Sequence, residues 1–198
     1  MDQAASLEFP VSARRPIDGR RKFGMELLQT LVLMAALFFG VRIVFQNFRV
    51  EGPSMQPTLT SGELLWVNKA AYYRWNGQYV LGGPQRGDIA VLHSPDPTDD
   101  VDLIKRIIGL PGDRIRVERG QVLVNDQPLD EPYIRFQASY TYPLNDQDLV
   151  IPANAYFVLG DNRGNSRDSH FGWFVPADNL IGRSELGYWP PAHWGLTS

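Results

Sequence analysis

A run of 23 residues, Phe23 to Phe45, constrains this chain more than anything else in it. Between Leu31 and Val41 no side chain is polar. At about 1.5 Å per residue, a helix of this length crosses a hydrocarbon layer of ~30 Å. Glu26 and Arg42 stand close to its ends, within reach of the headgroups, Arg42 by snorkelling. A buried globular helix and a removed export signal are the competing readings. A removed signal ends its apolar region at a small-x-small site. Here the exit reads Val44-Phe45-Gln46-Asn47-Phe48-Arg49, which is bulky, so a retained transmembrane helix over 23–45 is expected. The preceding residues 1–22 carry Arg14, Arg15, Arg20, Arg21 and Lys22 against Asp2, Glu8 and Asp18, a net +2. Such a tail stays cytoplasmic by the positive-inside rule, which places residues 46–198 on the extracytoplasmic side.

With −3 overall, residues 23–198 hold a net −5. That is a poor footprint for a nucleic-acid partner, which asks for a basic face. The chain has no cysteine, which excludes disulfides and thiolate chemistry. His93, His170 and His193 are too far apart for a zinc site, and neither metal nor cofactor is expected.

Beyond the apolar run the pattern turns to short strands. Leu64–Asn68, Asp88–His93, Leu103–Ile108, Tyr156–Leu159 and Ser184–Trp189 are β-prone runs bounded by Gly, Pro or Asp. Arg114–Glu118 alternates polar and apolar residues, turns at Arg119-Gly120 and continues as Gln121–Val124, the pattern of a hairpin. With 18 Gly, 15 Pro and no long amphipathic stretch after residue 50, the expected fold is mainly β: an antiparallel β-sheet domain behind one N-terminal transmembrane helix. Residues 125–155, polar and rich in proline, read as a small loop-rich insertion.

Three segments can carry chemistry. In Gly52-Pro53-Ser54-Met55-Gln56-Pro57-Thr58-Leu59 one serine lies between two prolines, held by residues of restricted backbone and preceded by a glycine that takes angles closed to others. Most serines so placed are loop serines, and no Gly-x-Ser-x-Gly elbow surrounds this one. Lys105 sits mid-strand in Leu103-Ile104-Lys105-Arg106-Ile107-Ile108. Facing outward it is an ordinary surface lysine. Facing inward it is desolvated, its ammonium is disfavoured, and the neutral amine is a base for a serine hydroxyl. The third segment, Gly160 to His170, is dense in Asp, Asn, Arg and Ser. It reads as a polar turn or as a network orienting a catalytic group, and it lacks the terminal Glu of a calcium loop.

In this order behind one span, the segments resemble type I signal peptidase, a serine/lysine dyad family, in its compact single-span form. The likeness is carried by Ser54-Met55-Gln56-Pro57-Thr58-Leu59, by Arg86-Gly87-Asp88-Ile89, by Lys105 through Asp113, and by Gly160-Asp161-Asn162-Arg163 with Asn165-Ser166 and Asp168-Ser169. The resemblance implies a membrane-bound endopeptidase that removes signal peptides of exported preproteins after Ala-x-Ala-type sites. Its partners are those peptides, the lipid bilayer and, by proximity, the export translocon. The membrane is the plasma (inner) or thylakoid membrane. Carried over, Ser54 is the nucleophile and Lys105 the general base. Ser166 hydrogen-bonds the lysine, Asp168 steadies that region, and Asp161 and Arg163 hold the loop. Phe48, Val50, Met55, Leu59, Leu92 and Ile104, taken by motif offset, are expected to form a shallow apolar pocket for small side chains. Phe171, Trp173 and Phe174 are expected either in the bilayer interface or in the core. The sequence departs from the family at Gly52, where many members carry a serine that assists the oxyanion. It also departs at His170, often arginine, and at Gly164, often aspartate. The rival reading is a membrane-tethered β module that binds a partner and catalyses nothing. A self-cleaving repressor with the same dyad is a further rival, disfavoured by the span.

Overall fold

The computed structural model describes residues 19–135, 139–144 and 149–197. The expected cytoplasmic tail over 1–22 lies outside these residues as far as 18. The described residues of the N-terminal unit, up to Val41, belong to one helix, α1, Gly19–Val44, exposed along the described side chains up to Arg42 and apolar enough over Arg21–Val44 to cross a membrane by length and composition.

The second unit, residues 42–198, is built from strands: β1 Phe45–Arg49, β2 Leu64–Asn68, β3 Arg74–Trp75, β4 Gln78–Tyr79, β5 Ile89–His93, β6 Asp102–Gly109, β7 Arg114–Glu118, β8 Gln121–Val124, β9 Gln127–Pro128, β10 Leu149–Val150, β11 Ala155–Leu159, β12 Val175–Pro176, β13 Leu180–Trp189 and β14 Gly195–Leu196. The main sheet runs β1-β2-β13-β5-β6-β11-β12 with β14 beside β13, and every pairing in it is antiparallel. A smaller sheet runs β10-β7-β8-β9. The architecture is therefore mainly β and antiparallel with one N-terminal apolar helix, as expected. The hairpin Arg114–Glu118/Gln121–Val124 forms with the expected ends. Strand β1 was not foreseen: Phe45, assigned to the helix from sequence, opens it. Its Gln, Asn and Arg carry little β propensity, so pairing with β2 decides its conformation.

Two faces of the main sheet carry separate cores. On β5, Ala90 and Leu92 pack with Ile107, Val158 and Leu180 on one side. Ile89 and Val91 pack with Val50, Met55, Leu59, Leu65 and Val67 on the other. A third cluster joins Ile108, Phe157 and Leu159 to Ile115, Val117 and Val122 of the small sheet. The period-two pleat of one strand thus feeds two cores at once. On β6 the same pleat sends Lys105 to the face of Leu103 and Ile107, and Arg106 to the face of Ile104 and Ile108.

Candidate active site

Strand β6 extends past the end of β11, whose last pair is Leu159 with Arg106. Beyond that point the chain of β11 enters the loop starting at Gly160, and the turn around Ser54 lies against it. Asn162 N–H donates to the Ser54 carbonyl at 2.9 Å, and the Asn162 side-chain amide donates to the Pro53 carbonyl at 3.2 Å. Gly160 is required here by close approach. A Cβ on it would stand 2.3 Å from Ser166 Oγ and 2.5 Å from the Ser54 carbonyl oxygen. Gly52 adopts φ +79°, the left-handed region that side chains rarely enter, with open space around it.

Lys105 is 3 % exposed, and its Nζ donates to Ser54 Oγ at 2.9 Å and to the Ile104 carbonyl at 3.1 Å. The inward reading of this lysine is the one the structure adopts. Burial, which disfavours the ammonium, dominates its titration. The carboxylates of Asp168 and Asp161 pull the other way, and the balance lowers the lysine from 10.5 to about 8. The Ser54 backbone N–H has no partner among the described residues, which leaves it free to donate to a developing oxyanion.

Around this pair the 160–170 loop is held by charge. Asp168 is fully buried, and its carboxylate accepts the Gly160 N–H at 2.8 Å and the His170 Nδ1 at 2.5 Å while capping the short helical turn Ser169–Phe171. Asp161 receives Arg106 through Nε and Nη2 at 2.9 and 2.8 Å, and the Thr58 hydroxyl at 2.5 Å. One buried carboxylate thus ties together the serine turn, the lysine strand and the loop. Arg163 donates to the Gly160 carbonyl and forms an ion pair with Glu131, which also accepts the Tyr133 hydroxyl. The Tyr133 ring lies 3.9 Å from the Arg106 guanidinium carbon.

Two expectations need correction. Ser166 does not hydrogen-bond the lysine; its Oγ is buried with no partner among the described residues, wedged against Gly160. The lysine instead spends its donors on Ser54 and the Ile104 carbonyl. Of the six expected pocket residues, Val50, Met55, Leu59, Phe48 and Ile104 do share one apolar cluster, with Phe48 and Ile104 half-buried at its rim. Leu92 lies in the other core, because motif offset carries no record of which face of β5 a residue takes. Trp173 and Phe174 pack against the cores, and Phe171 alone of the three is exposed.

The residues missed from sequence are Thr58, Arg106, Glu131 and Tyr133. Arg106 left a signal: a guanidinium stays charged, so one buried in an apolar strand demands a carboxylate. Glu131 and Tyr133 left none, being scattered polar residues of a loop-rich stretch.

Residues 24–189 match the family model described as signal peptidase, peptidase S26. The chain belongs to this signal peptidase family. Signal peptidase I of Leptolyngbya laminosa is 39 % identical over 173 residues, 84 % of this chain and 80 % of that protein. Signal peptidase I U of Bacillus subtilis (strain 168) is 38 % identical over 178 residues, 86 % of this chain and 90 % of that protein. A solved signal peptidase I from Enterococcus faecalis V583 shares 31 % identity and covers 50 % of this chain and 95 % of that one, with a TM-score of 0.42. The matched stretch includes every polar contact around Ser54 and Lys105, so in this S26 peptidase the site is described by residues that the family model spans.

Proposed function

We propose that the chain is a membrane-tethered serine endopeptidase that cleaves N-terminal signal peptides from exported preproteins after Ala-x-Ala-type sites. Ser54 is the nucleophile and Lys105 the general base. The observation that carries this reading is the 2.9 Å approach of the buried Lys105 Nζ to Ser54 Oγ. The names of the relatives supply the substrate class. Helix α1 is the tether, residues 1–22 stay in the cytoplasm, and the β domain works at the outer surface of the plasma (inner) or thylakoid membrane, near the translocon.

The chemistry follows from the geometry. Neutral Lys105 takes the Ser54 proton as Oγ bonds to the scissile carbonyl carbon. The Ser54 N–H donates to the oxygen that gains charge. Collapse breaks the C–N bond, the lysine ammonium returns its proton to the leaving amine, and an acyl ester remains on Ser54. Water then attacks the ester carbonyl carbon. Lys105 takes the water proton and passes it to Oγ as the ester bond breaks, which frees the shortened peptide and restores the hydroxyl. Side chains next to the cut on the acyl side rest on the apolar rim formed by Phe48 and Ile104.

The test is cleavage of a preprotein in detergent by wild type, Ser54→Ala and Lys105→Ala. Loss of cleavage in both is expected. Full activity in either rules out the dyad, and no cleavage by the wild type leaves the tethered binding module.

A further inference from the structure

The turn that carries Ser54 has two sides. Leu59 N–H donates to the Met55 carbonyl at 2.9 Å, so these two side chains lie one turn apart and both enter the core that Phe48 and Ile104 rim. Gln56, Pro57 and Thr60 face the other way. There they line a cavity of about 430 Å³, completed by Arg135, Asp161 and Asn162. A second cavity of about 320 Å³ shares Pro57 and Thr60 and runs on to Glu63 and His193. The two cavities meet at Pro57 and Thr60, which line both, and are taken together as a trough.

The charge in this trough is one-sided. Asp161 is occupied by the two-pronged contact from Arg106 and by the Thr58 hydroxyl. Glu63 is occupied by Thr60 and by His193 Nδ1 at 2.6 Å. Arg135 is exposed and has no partner among the described residues, and the exposed Gln56 side-chain amide likewise has none. A fork of N–H donors therefore lines the same cavity as Gln56 and Pro57, with no acceptor among the described residues. That fork matches a carboxylate.

We propose that this trough receives the leaving side of the substrate and that Arg135 selects an acidic side chain in the first residues after the cut. The assignment rests on the peptidase reading above. With the acyl side over the Phe48 and Ile104 rim, a peptide crossing Ser54 leaves over Gln56 and Pro57. Arg135 is a specificity residue here, and the bond-making groups remain Ser54 and Lys105.

The full chain in detergent is tested with quenched peptides that share one Ala-x-Ala sequence and carry Asp, Asn or Lys at the first two positions after the cut. Wild type is expected to favour Asp over Lys by roughly two- to five-fold in kcat/KM, the range of an exposed ion pair. The preference fades in high salt. Arg135→Gln abolishes it and Arg135→Glu reverses it, while the Asn peptide is cut at the wild-type rate by all three. Binding of the same peptides to Ser54→Ala, read by fluorescence anisotropy, follows the same order. An unchanged preference in Arg135→Gln, or none in wild type with normal cutting of the Asn peptide, overturns the assignment alone. Failure of wild type to cut even the Asn peptide overturns the peptidase reading, and the trough assignment with it.

Discussion

Replacing Lys105 by methionine separates what this lysine does for the reaction from what it costs the fold. The side chains are similar in length, so packing is largely kept. Lowering a lysine from 10.5 to about 8 corresponds to about 3 kcal/mol, because each tenfold step in the equilibrium is worth about 1.4 kcal/mol. The sign follows from proton counts. Between pH 8 and 10.5 the unfolded chain holds a proton that the folded one has shed, so stability rises with pH across that window. Below pH 8 the full penalty stands, and above 10.5 it is gone. Lys105→Met removes it, so the variant is expected to be inactive and, at pH 7, more stable than wild type by up to about 3 kcal/mol. For a domain of this size that raises the melting midpoint by several degrees, at roughly 2–4 °C per kcal/mol. The gain should shrink towards zero in melts run near pH 10.5. The same value sets the wild-type rate profile. About a tenth of the lysine is neutral at pH 7 and about nine-tenths at pH 9, so kcat/KM climbs roughly tenfold per pH unit below 7 and levels off above 9. A variant that melts below wild type at pH 7, a stability difference independent of pH, or a rate profile flat from pH 5 to 9 refutes this account.

Gly160→Ala forces its new methyl to within 2.3 Å of Ser166 Oγ and 2.5 Å of the Ser54 carbonyl. A loss of about 1–3 kcal/mol by denaturant titration, with a large fall in kcat, is expected. Glu131→Gln leaves the Arg163 guanidinium buried without its countercharge. Removing one partner of a buried pair costs about 3–5 kcal/mol, and the amide recovers part of it, so the midpoint should fall visibly in a thermal melt. Gly52→Ser introduces the hydroxyl that many family members carry, but at φ +79° it brings a backbone cost of about 1 kcal/mol or more. Kinetics on a short peptide should show no gain in kcat.

Much of the fold was legible because each strand obeys a local rule. Arg114–Val124 alternates around an Arg-Gly turn, and the hairpin forms where the pattern puts it. The pair at the site was legible because a lysine in an apolar strand and a serine between prolines are each unusual. The remainder depends on faces and distances. Leu92 and Val91 are neighbours of the same type, and only the sheet decides that they enter different cores. Ser166 lies one residue from where a loop can turn its hydroxyl towards the lysine or away, and in this chain it turns against Gly160. Glu131 and Tyr133 reach the site across a long loop, a pairing that no local pattern encodes.

Lys105 and Arg106 are adjacent on β6 and take opposite faces. A slip of one residue in the pairing of β6 with β5 exchanges every face of the strand. The position beside Ser54 would then hold a guanidinium, which does not surrender its proton at any pH the cell reaches. The same slip brings Ile107 to the place opposite Asp161, so the two-pronged contact that locks the loop is lost. A chain whose sheet has closed out of register is therefore silent as well as misfolded. On the proposed dyad, the chemistry switches on only with the correct strand alignment, and a newly made copy has no hydrolytic power over its surroundings until its own sheet is complete.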